Sequence, residues 1–293
     1  MIIIRLKGGL GNQMFQFALG YVLSETHKCP LKIDTRFFDL SRHNHRVTTR
    51  DFELDIFNNS YNFASKKDIL QFDQLSVIHR INKKLGFNYL KKYNEPSPVF
   101  QQDLSNIKPP LFLNGYFQSH HYYRGYEEAI RALFSFPTED FQPKNRDILN
   151  TLNSETTLGI HIRRGDYISD PKTNQTHGVC SVDYYMKAIE QLTKNNDKMK
   201  LVFFSDDSKW VKNTFEQLSM DKLFVDHNTG KDSWKDLCLM SKCTHNIIAN
   251  SSFSWWAAWL NAHPQKKVIA PKQWFADRTR NTNDLIPETW IRL

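Results

Sequence analysis

The chain has 293 residues, enough to bury a sizeable core as one large domain or as two of about 150 residues each. Apolar residues make up 40% and charged residues 24%, which excludes a disordered chain; the longest unbroken apolar run, the six residues 255–260, excludes a membrane-spanning helix, which needs about 20. The 39 basic and 31 acidic residues leave a net charge of +8, and the start MIIIRLKGG lacks a signal-peptide pattern, so a soluble cytoplasmic protein is expected.

In chain order, residues 2–6 read as a strand and residues 12–24 as a helix, with Phe15, Leu19, Val22 and Leu23 on one face. Residues 31–34 are a second strand. Residues 35–110 show no clear period. Residues 111–115 read as a strand and 126–134 as a helix. Residues 136–145, with two prolines and mixed charge, read as a domain hinge. Beyond it the chain alternates: strands at 158–162, 201–204, 223–225, 245–249 and 268–270, and helices at 181–193, 208–218 (capped by Ser208), 233–242 and 253–261. That alternation predicts a parallel sheet with helices on both faces, hence two α/β domains, the second more regular than the first.

In open α/β sheets, ligands bind beyond the carboxyl ends of the strands. Residues 158–162 contain His161 and run into Arg163-Arg164-Gly165-Asp166-Tyr167; residues 201–204 run into Ser205-Asp206-Asp207; residues 245–249 run into Asn250-Ser251-Ser252. If these strands are parallel, the three clusters face one crevice that suits a nucleotide diphosphate. Adjacent arginines can hold phosphate oxygens, and Asn250-Ser251-Ser252 offers backbone N–H groups at the positive end of a helix. Asp206 can accept hydrogen bonds from a base or a ribose. The competing readings are an ion-pair cluster of Arg163, Arg164 and Asp166, and a plain helix cap at Ser251-Ser252. Trp255, Trp256 and Trp259 read as core packing.

Gly8-Gly9-Leu10-Gly11-Asn12-Gln13 follows a strand and opens a helix, but Met14 stands where a dinucleotide fingerprint has its third glycine, and no G-K-[S/T] follows. A glycine turn that approaches a ligand, with Asn12 and Gln13 as polar contacts, fits it. No D-x-D occurs, so a metal–diphosphate clamp of that type is not expected, and arginine with a helix terminus has to neutralise the leaving group. The cysteines, Cys29, Cys180, Cys238 and Cys243, form no C-x-x-C pair and read as free buried thiols. Basic residues crowd 66–92, as Lys66, Lys67, Arg80, Lys83, Lys84, Lys91 and Lys92 against Asp68 and Asp73; this is either a solvated face or one that touches an anionic membrane or a phosphate-bearing substrate.

The segments G-G-L-G-N-Q-M-F-Q-F at 8–17, H-I-R-R-G-D-Y at 161–167, F-F-S-D-D at 203–207 and the block from Asp232 through I-I-A-N-S-S-F-S-W-W to Leu260 resemble glycosyltransferase family 11, the α-1,2-fucosyltransferases. The resemblance runs in order from Lys7 to about Trp274 and is poor at 35–110. It implies a GT-B type α/β fold of two Rossmann-like domains facing across a cleft: residues 1–140 to receive the acceptor, 141–275 to bind GDP-fucose, and a tail at 276–293 packing back on the first domain. It implies an inverting, metal-independent galactoside α-1,2-fucosyltransferase that moves L-fucose from GDP-β-L-fucose to a terminal galactose of an oligosaccharide or lipid-linked glycan. In a bacterial member this serves O-antigen or surface-polysaccharide biosynthesis in the cytoplasm or at the inner face of the plasma membrane. No cofactor beyond the donor is implied. Among site residues, Arg163 and Arg164 would hold the pyrophosphate, His161 and Asp206 would face guanine or ribose, and Asn250, Ser251, Ser252 and Phe253 would form the pyrophosphate and base wall. Gly11 and Asn12 would approach the diphosphate, and Asp166 would position Arg163. For the catalytic base the candidates are Asp34 and Glu53, which read equally as ordinary surface carboxylates.

Three other functions compete: a related GDP-sugar transferase with another sugar or linkage, a basic nucleic-acid-binding protein, and a catalytically dead glycan-binding protein. The basic residues are spread over both halves, 20 in residues 1–150 and 19 in residues 151–293, without a nucleic-acid-binding motif, and Arg163 with Arg164 argues against a dead site.

Overall fold

The computed structural model describes residues 1–42, 50–73, 77–85, 90–194, 196, 198–277 and 279–293; the side chains of residues 40–42, 78, 79, 82, 83, 166, 169, 172 and 173 lie outside that description. The chain divides into two compact units: Met1–Ser135 with Thr282–Leu285, and Phe136–Asn281 with Ile286–Leu293. Among the described residues no helix is long and apolar enough to cross a membrane.

The first unit contains β1 (Ile2–Arg5), α1 (Leu10–His27), β2 (Leu31–Asp34), α2 (Arg36–Arg42), α3 (Lys66–Leu70), α4 (Val77–Lys84), β3 (Lys91–Asn94), β4 (Leu111–Asn114) and α5 (Glu127–Leu133). The strands form a parallel sheet in the order β2-β1-β4-β3. β1 and β4 are central and apolar, as I-I-I-R and L-F-L-N, so hydrophobicity announces them. β3 is an edge strand of sequence K-K-Y-N with little burial, so no apolar pattern betrays it. α1 is longer at both ends than its apolar face suggests. Gly9 precedes it without a side-chain cap, and the first free N–H, that of Leu10, is taken by the carboxylate of Glu53 at 2.6 Å. A cap 43 positions away in sequence leaves no local signal.

The second unit contains α6 (Pro143–Ser154), β5 (Thr157–Ile162), α7 (Gly165–Ser169), α8 (Pro171–His177), α9 (Val182–Thr193), β6 (Lys200–Ser205), α10 (Ser208–Phe215), β7 (Lys222–Val225), α11 (Trp234–Ser241), β8 (His245–Ile247), α12 (Ser252–Leu260), β9 (Val268–Ala270) and β10 (Ile291–Arg292). All six strands are parallel, in the order β10-β9-β8-β5-β6-β7. Counted within the unit this is the doubly wound order of nucleotide-binding sheets, and it reverses between β5 and β8. β5 is buried along its whole length, and Leu158, Ile160 and Ile162 share a core with Leu201, Phe203, Tyr185 and Ile189. On α12, Trp255 and Trp256 are fully buried; Trp255 stacks on Trp259 at 6.3 Å and packs against Trp290 at 5.6 Å, so the tryptophans are core.

Several expectations change. The segment at 136–145 is anchored in the second unit: Phe136 stacks on Trp234, Phe141 is fully buried, and α6 starts at Pro143. α10 is capped by Asp207, whose carboxylate accepts the Trp210 N–H at 3.2 Å, and Ser208 is its first helical residue. The C-terminal tail is divided: Thr282–Leu285 belongs to the first unit, while β10 pairs with β9 and completes the second sheet. Of the free cysteines, Cys238 and Cys243 are buried and Cys29 and Cys180 only half-buried.

Candidate active site

The reversal point of the second sheet lies between β5 and β8, so the chain leaving those two strands forms the crevice. From β5 come His161, at the strand's last turn, and then Arg163 and Arg164. From β8, after residues 248–250, comes the N-terminus of α12. From the neighbouring β6 come Ser205, Asp206 and Asp207.

Both arginines are fixed by β6. The Asp206 carboxylate receives Arg163 Nη1 at 3.0 Å on Oδ2 and the Arg164 backbone N–H at 2.9 Å on Oδ1. Asp207 accepts Arg164 Nε at 3.1 Å while its other oxygen caps α10. The Arg164 guanidinium lies 3.6 Å from the Trp210 ring centroid, and that of Arg163 5.6 Å from the Tyr167 ring. Among the described residues, no hydrogen bond uses the terminal nitrogens of Arg164, so the fork retains donors for an incoming oxyanion. This arrangement needs Gly165: a Cβ there would stand 2.6 Å from Asp206 Oδ2, inside contact distance. The glycine of R-R-G-D therefore makes room for the carboxylate that orients the arginines.

His161 is 5% exposed and lies 5.5 Å from the Phe253 ring. Burial, against the Asp206 charge and with that of Arg163, pulls its imidazole down to about 4, so it is neutral at pH 7. Its Nδ1 is buried and finds no hydrogen-bond partner among the described residues. Ser251 caps α12, its hydroxyl accepting the Phe253 N–H at 3.3 Å, and half-buried Ser252 opens the helix.

The structure thus collects His161, Arg163, Arg164, Asp206, Ser251, Ser252 and Phe253 at one edge of the second sheet. It gives some of them other work than expected. Asp206 bonds both arginines and is itself exposed. Asn250 is 3% exposed, and its amide donates to the carbonyls of His177, Gly178 and Trp274, so it ties loops together. The ion-pair cluster forms, and among the described residues Asp206 and Asp207 supply its acids; Asp166 belongs to α7, and its side chain lies outside the described residues. Asp207 and Trp210 were missed as partners of Arg164, although the doubled aspartate after β6 was a signal for the first.

In the first unit, Gly11 and Asn12 sit at the start of α1, where Asn12 Oδ1 accepts the Gln118 amide at 2.7 Å. Gln13 is fully buried and ties the glycine turn to Asp51 by donating to Gly8 O and Asp51 O. Asp34 is also buried, ion-paired to Arg5 at 3.0 Å and Arg36 at 2.9 Å. Burial pushes its carboxyl up, but the bonds and charges of Arg36 and Arg5 outweigh that and hold it below the ordinary value. Glu53 goes the other way: burial raises it more than the Leu10 N–H and Arg50 lower it.

The glycosyl transferase family 11 model matches residues 1–293. The chain belongs to that family. It is 35% identical to the O-antigen biosynthesis glycosyltransferase WbnK of Escherichia coli, over 98% of this chain and 99% of that protein. It is 33% identical to an alpha-1,2-colitosyltransferase of Escherichia coli, over 100% and 99%. Among solved structures, an arginine-to-lysine mutant of Arabidopsis thaliana FUT1 in complex with GDP aligns with a TM-score of 0.50 at 12% identity, over 98% of this chain and 72% of that one. The fold is of GT-B type, built of two α/β units with parallel sheets.

The buried neutral His161 sets a pH dependence. Its folded value lies below that of the unfolded chain, about 6.5, so the unfolded chain takes up the proton first as pH falls. Its contribution to stability is complete above about pH 6.5 and is lost as pH falls towards about 4. Urea unfolding across that window is expected to show a smaller loss in His161→Asn than in the unaltered protein; equal losses would contradict the burial of a neutral imidazole.

Proposed function

We propose that this chain transfers L-fucose from GDP-β-L-fucose to the 2-hydroxyl of a terminal galactose, with inversion and without a metal ion, in the assembly of a bacterial O-antigen or another surface glycan. The observation that carries this reading is the pair Arg163 and Arg164, oriented by Asp206 and Asp207 at the reversal point of a doubly wound parallel sheet. A diphosphate placed there would meet the Arg164 fork and the N-terminus of α12. As the acceptor oxygen bonds to the anomeric carbon, the bond from that carbon to the β-phosphate oxygen breaks and GDP departs with the electron pair. The negative charge that grows on the β-phosphate is what two fixed guanidinium groups stabilise. They supply charge that a divalent cation provides elsewhere, which is the reason to expect no metal. The neutral His161 suits a hydrogen bond to an uncharged part of the nucleotide.

The acceptor hydroxyl must lose its proton as it attacks. Of the two carboxylates considered, Asp34 is a poor base, because Arg36 and Arg5 stabilise its charged form. Glu53, raised by burial, suits the task better. A second reading keeps the site and changes the donor sugar. It is favoured by the full-length similarity to an alpha-1,2-colitosyltransferase, whose sugar is transferred through the same linkage.

The basic segment supports a peripheral contact with the inner face of an anionic membrane. α4 exposes Val77 and Ile81, and Leu85 follows at the same four-residue spacing; the three are 61%, 51% and 66% exposed. Arg80, Lys84, Lys66, Lys67, Lys91 and Lys92 are exposed in the same unit. An apolar stripe among cations fits an anionic lipid surface.

Three outcomes are expected. Arg163→Ala and Arg164→Ala each lose turnover by roughly a hundredfold or more, about 3 kcal/mol of transition-state stabilisation, in a GDP-release assay; wild-type rates in both would remove the phosphate assignment. Turnover survives EDTA, and a loss restored by Mg²⁺ or Mn²⁺ would reveal a metal site. The protein co-sediments with phosphatidylglycerol vesicles and less with phosphatidylcholine vesicles, and Ile81→Glu with Leu85→Glu releases it; unchanged sedimentation of that variant would exclude the α4 face.

A further inference from the structure

In the first unit's parallel sheet the carboxyl ends of β1, β4 and β3 lie along one edge, and no residue beyond β4 has been given a role. The chain leaves β1 at Lys7, β3 at Glu95 and β4 at Gly115-Tyr116-Phe117. Gln16, fully buried on α1, ties two of these exits together: its amide oxygen accepts the Lys7 N–H at 2.9 Å and its nitrogen donates to Gly115 O at 3.1 Å. Glu95 holds the third. Its Oε2 accepts the Tyr116 N–H at 2.6 Å and its Oε1 the Phe117 N–H at 2.8 Å. Gly115 permits this, because a Cβ there would stand 2.7 Å from both Glu95 Oε2 and the Phe117 ring.

The clamp holds a turn that a bulky side chain does not adopt unaided. Phe117 has φ of 53°, in the left-handed region, and its ring is fully buried. Phe117 points into the core and leaves its neighbour outside: Tyr116 is 41% exposed. The Lys7 ammonium sits 4.4 Å from the Tyr116 ring centroid. Strain at Phe117, a buried glutamine and a two-handed carboxylate together present one aromatic ring at the ligand-binding edge of a sheet, beside a cation and an anion.

That set has the chemistry of a sugar site. One face of a pyranose is a row of C–H bonds with slight positive charge, which suits the negative face of an aromatic ring, and its hydroxyls need both donors and acceptors. Lys7 donates. Each Glu95 oxygen uses one lone-pair site on a backbone N–H and keeps another. Both groups are half-buried, and burial weakens each charge: it lowers Lys7 against the pull of Glu95, and raises Glu95 against its N–H bonds and Lys7. A free phosphate would be repelled by Glu95, whereas a neutral ring with hydroxyls meets no such penalty.

We propose that Tyr116, Lys7 and Glu95 form a binding subsite for a neutral pyranose, the terminal sugar of the acceptor. The subsite rests on the transferase reading for its role, but its ligand class rests on these three side chains. Saturation-transfer NMR on the full chain with saturating GDP tests it, using methyl β-D-galactopyranoside, methyl β-D-glucopyranoside and methyl N-acetyl-β-D-glucosaminide as probes. Transfer into the ring C–H protons of at least one probe is expected in the unaltered protein, retained in Tyr116→Phe and lost in Tyr116→Ala. Competition between the bound probe and the others fixes which sugar the site prefers. A signal unchanged in Tyr116→Ala, or no signal from any probe, overturns the subsite. GDP affinity is measured separately by calorimetry. Absence of GDP binding in the unaltered protein would count against the donor reading, while the pyranoside signals would still decide the subsite. Equal losses of GDP and pyranoside binding in Tyr116→Ala would mark a folding defect; Lys7→Met, which leaves the Glu95 clamp intact, then decides, because a weakened pyranoside signal with GDP binding retained supports the subsite and an unchanged signal overturns it.

Discussion

The contact on which the candidate active site depends is the approach of the Asp206 carboxylate to the backbone after β5. One carboxylate receives the Arg163 guanidinium and the Arg164 N–H together, and only a glycine at 165 leaves space for it. Because β5 and β6 are parallel and in register from Thr157↔Lys200 to Ile162↔Ser205, the two strand ends present these groups at the same level. Asp207 extends the device: one carboxylate caps α10 and holds Arg164 against Trp210. The arginines are positioned before any anion arrives, so little ordering remains to be done on binding.

The first unit uses the same principle with different parts. Its sheet-edge loops are held by long polar side chains reaching across the fold: Gln13 to the turn at Gly8 and to Asp51, Gln16 to Lys7 and Gly115, Glu53 to the N-terminus of α1, and Glu95 to residues 116 and 117. Buried glutamines satisfied by backbone groups are costly to displace, so these loops are part of the rigid frame. The two carboxylates in this set are raised by burial, whereas Asp34, between two arginines, is lowered. The direction of each shift follows from whether arginines or only backbone N–H groups dominate around the buried carboxylate.

Much of the second unit was legible because its strands are apolar runs and its unusual polar residues fall just after them. Arg163, Arg164, Asp206 and Ser251 could be grouped from spacing alone once the strands were taken as parallel. What escaped depended on contacts between distant positions. The cap of α10 by Asp207 instead of Ser208, and the bond from Arg163 to Asp206, are contacts that only the fold shows. Asn250 has the same polar character as its serine neighbours, and only the fold shows its amide spent on three carbonyls. Residues 35–110 were opaque for another reason: β3 is a lysine-bearing edge strand, so Glu95 at its end carried no pattern. Residues 43–49, 74–76 and 86–89 of that region lie outside the described residues.

The central claim is that the arginine pair after β5 is a donor diphosphate site. Calorimetric titration without metal, with GDP-fucose against GDP-mannose and UDP-galactose, tests it most directly. The account predicts selective binding of GDP-fucose that disappears in Arg163→Ala and Arg164→Ala while the fold persists by circular dichroism. Binding that survives both substitutions, or equal binding of UDP-galactose, would contradict it.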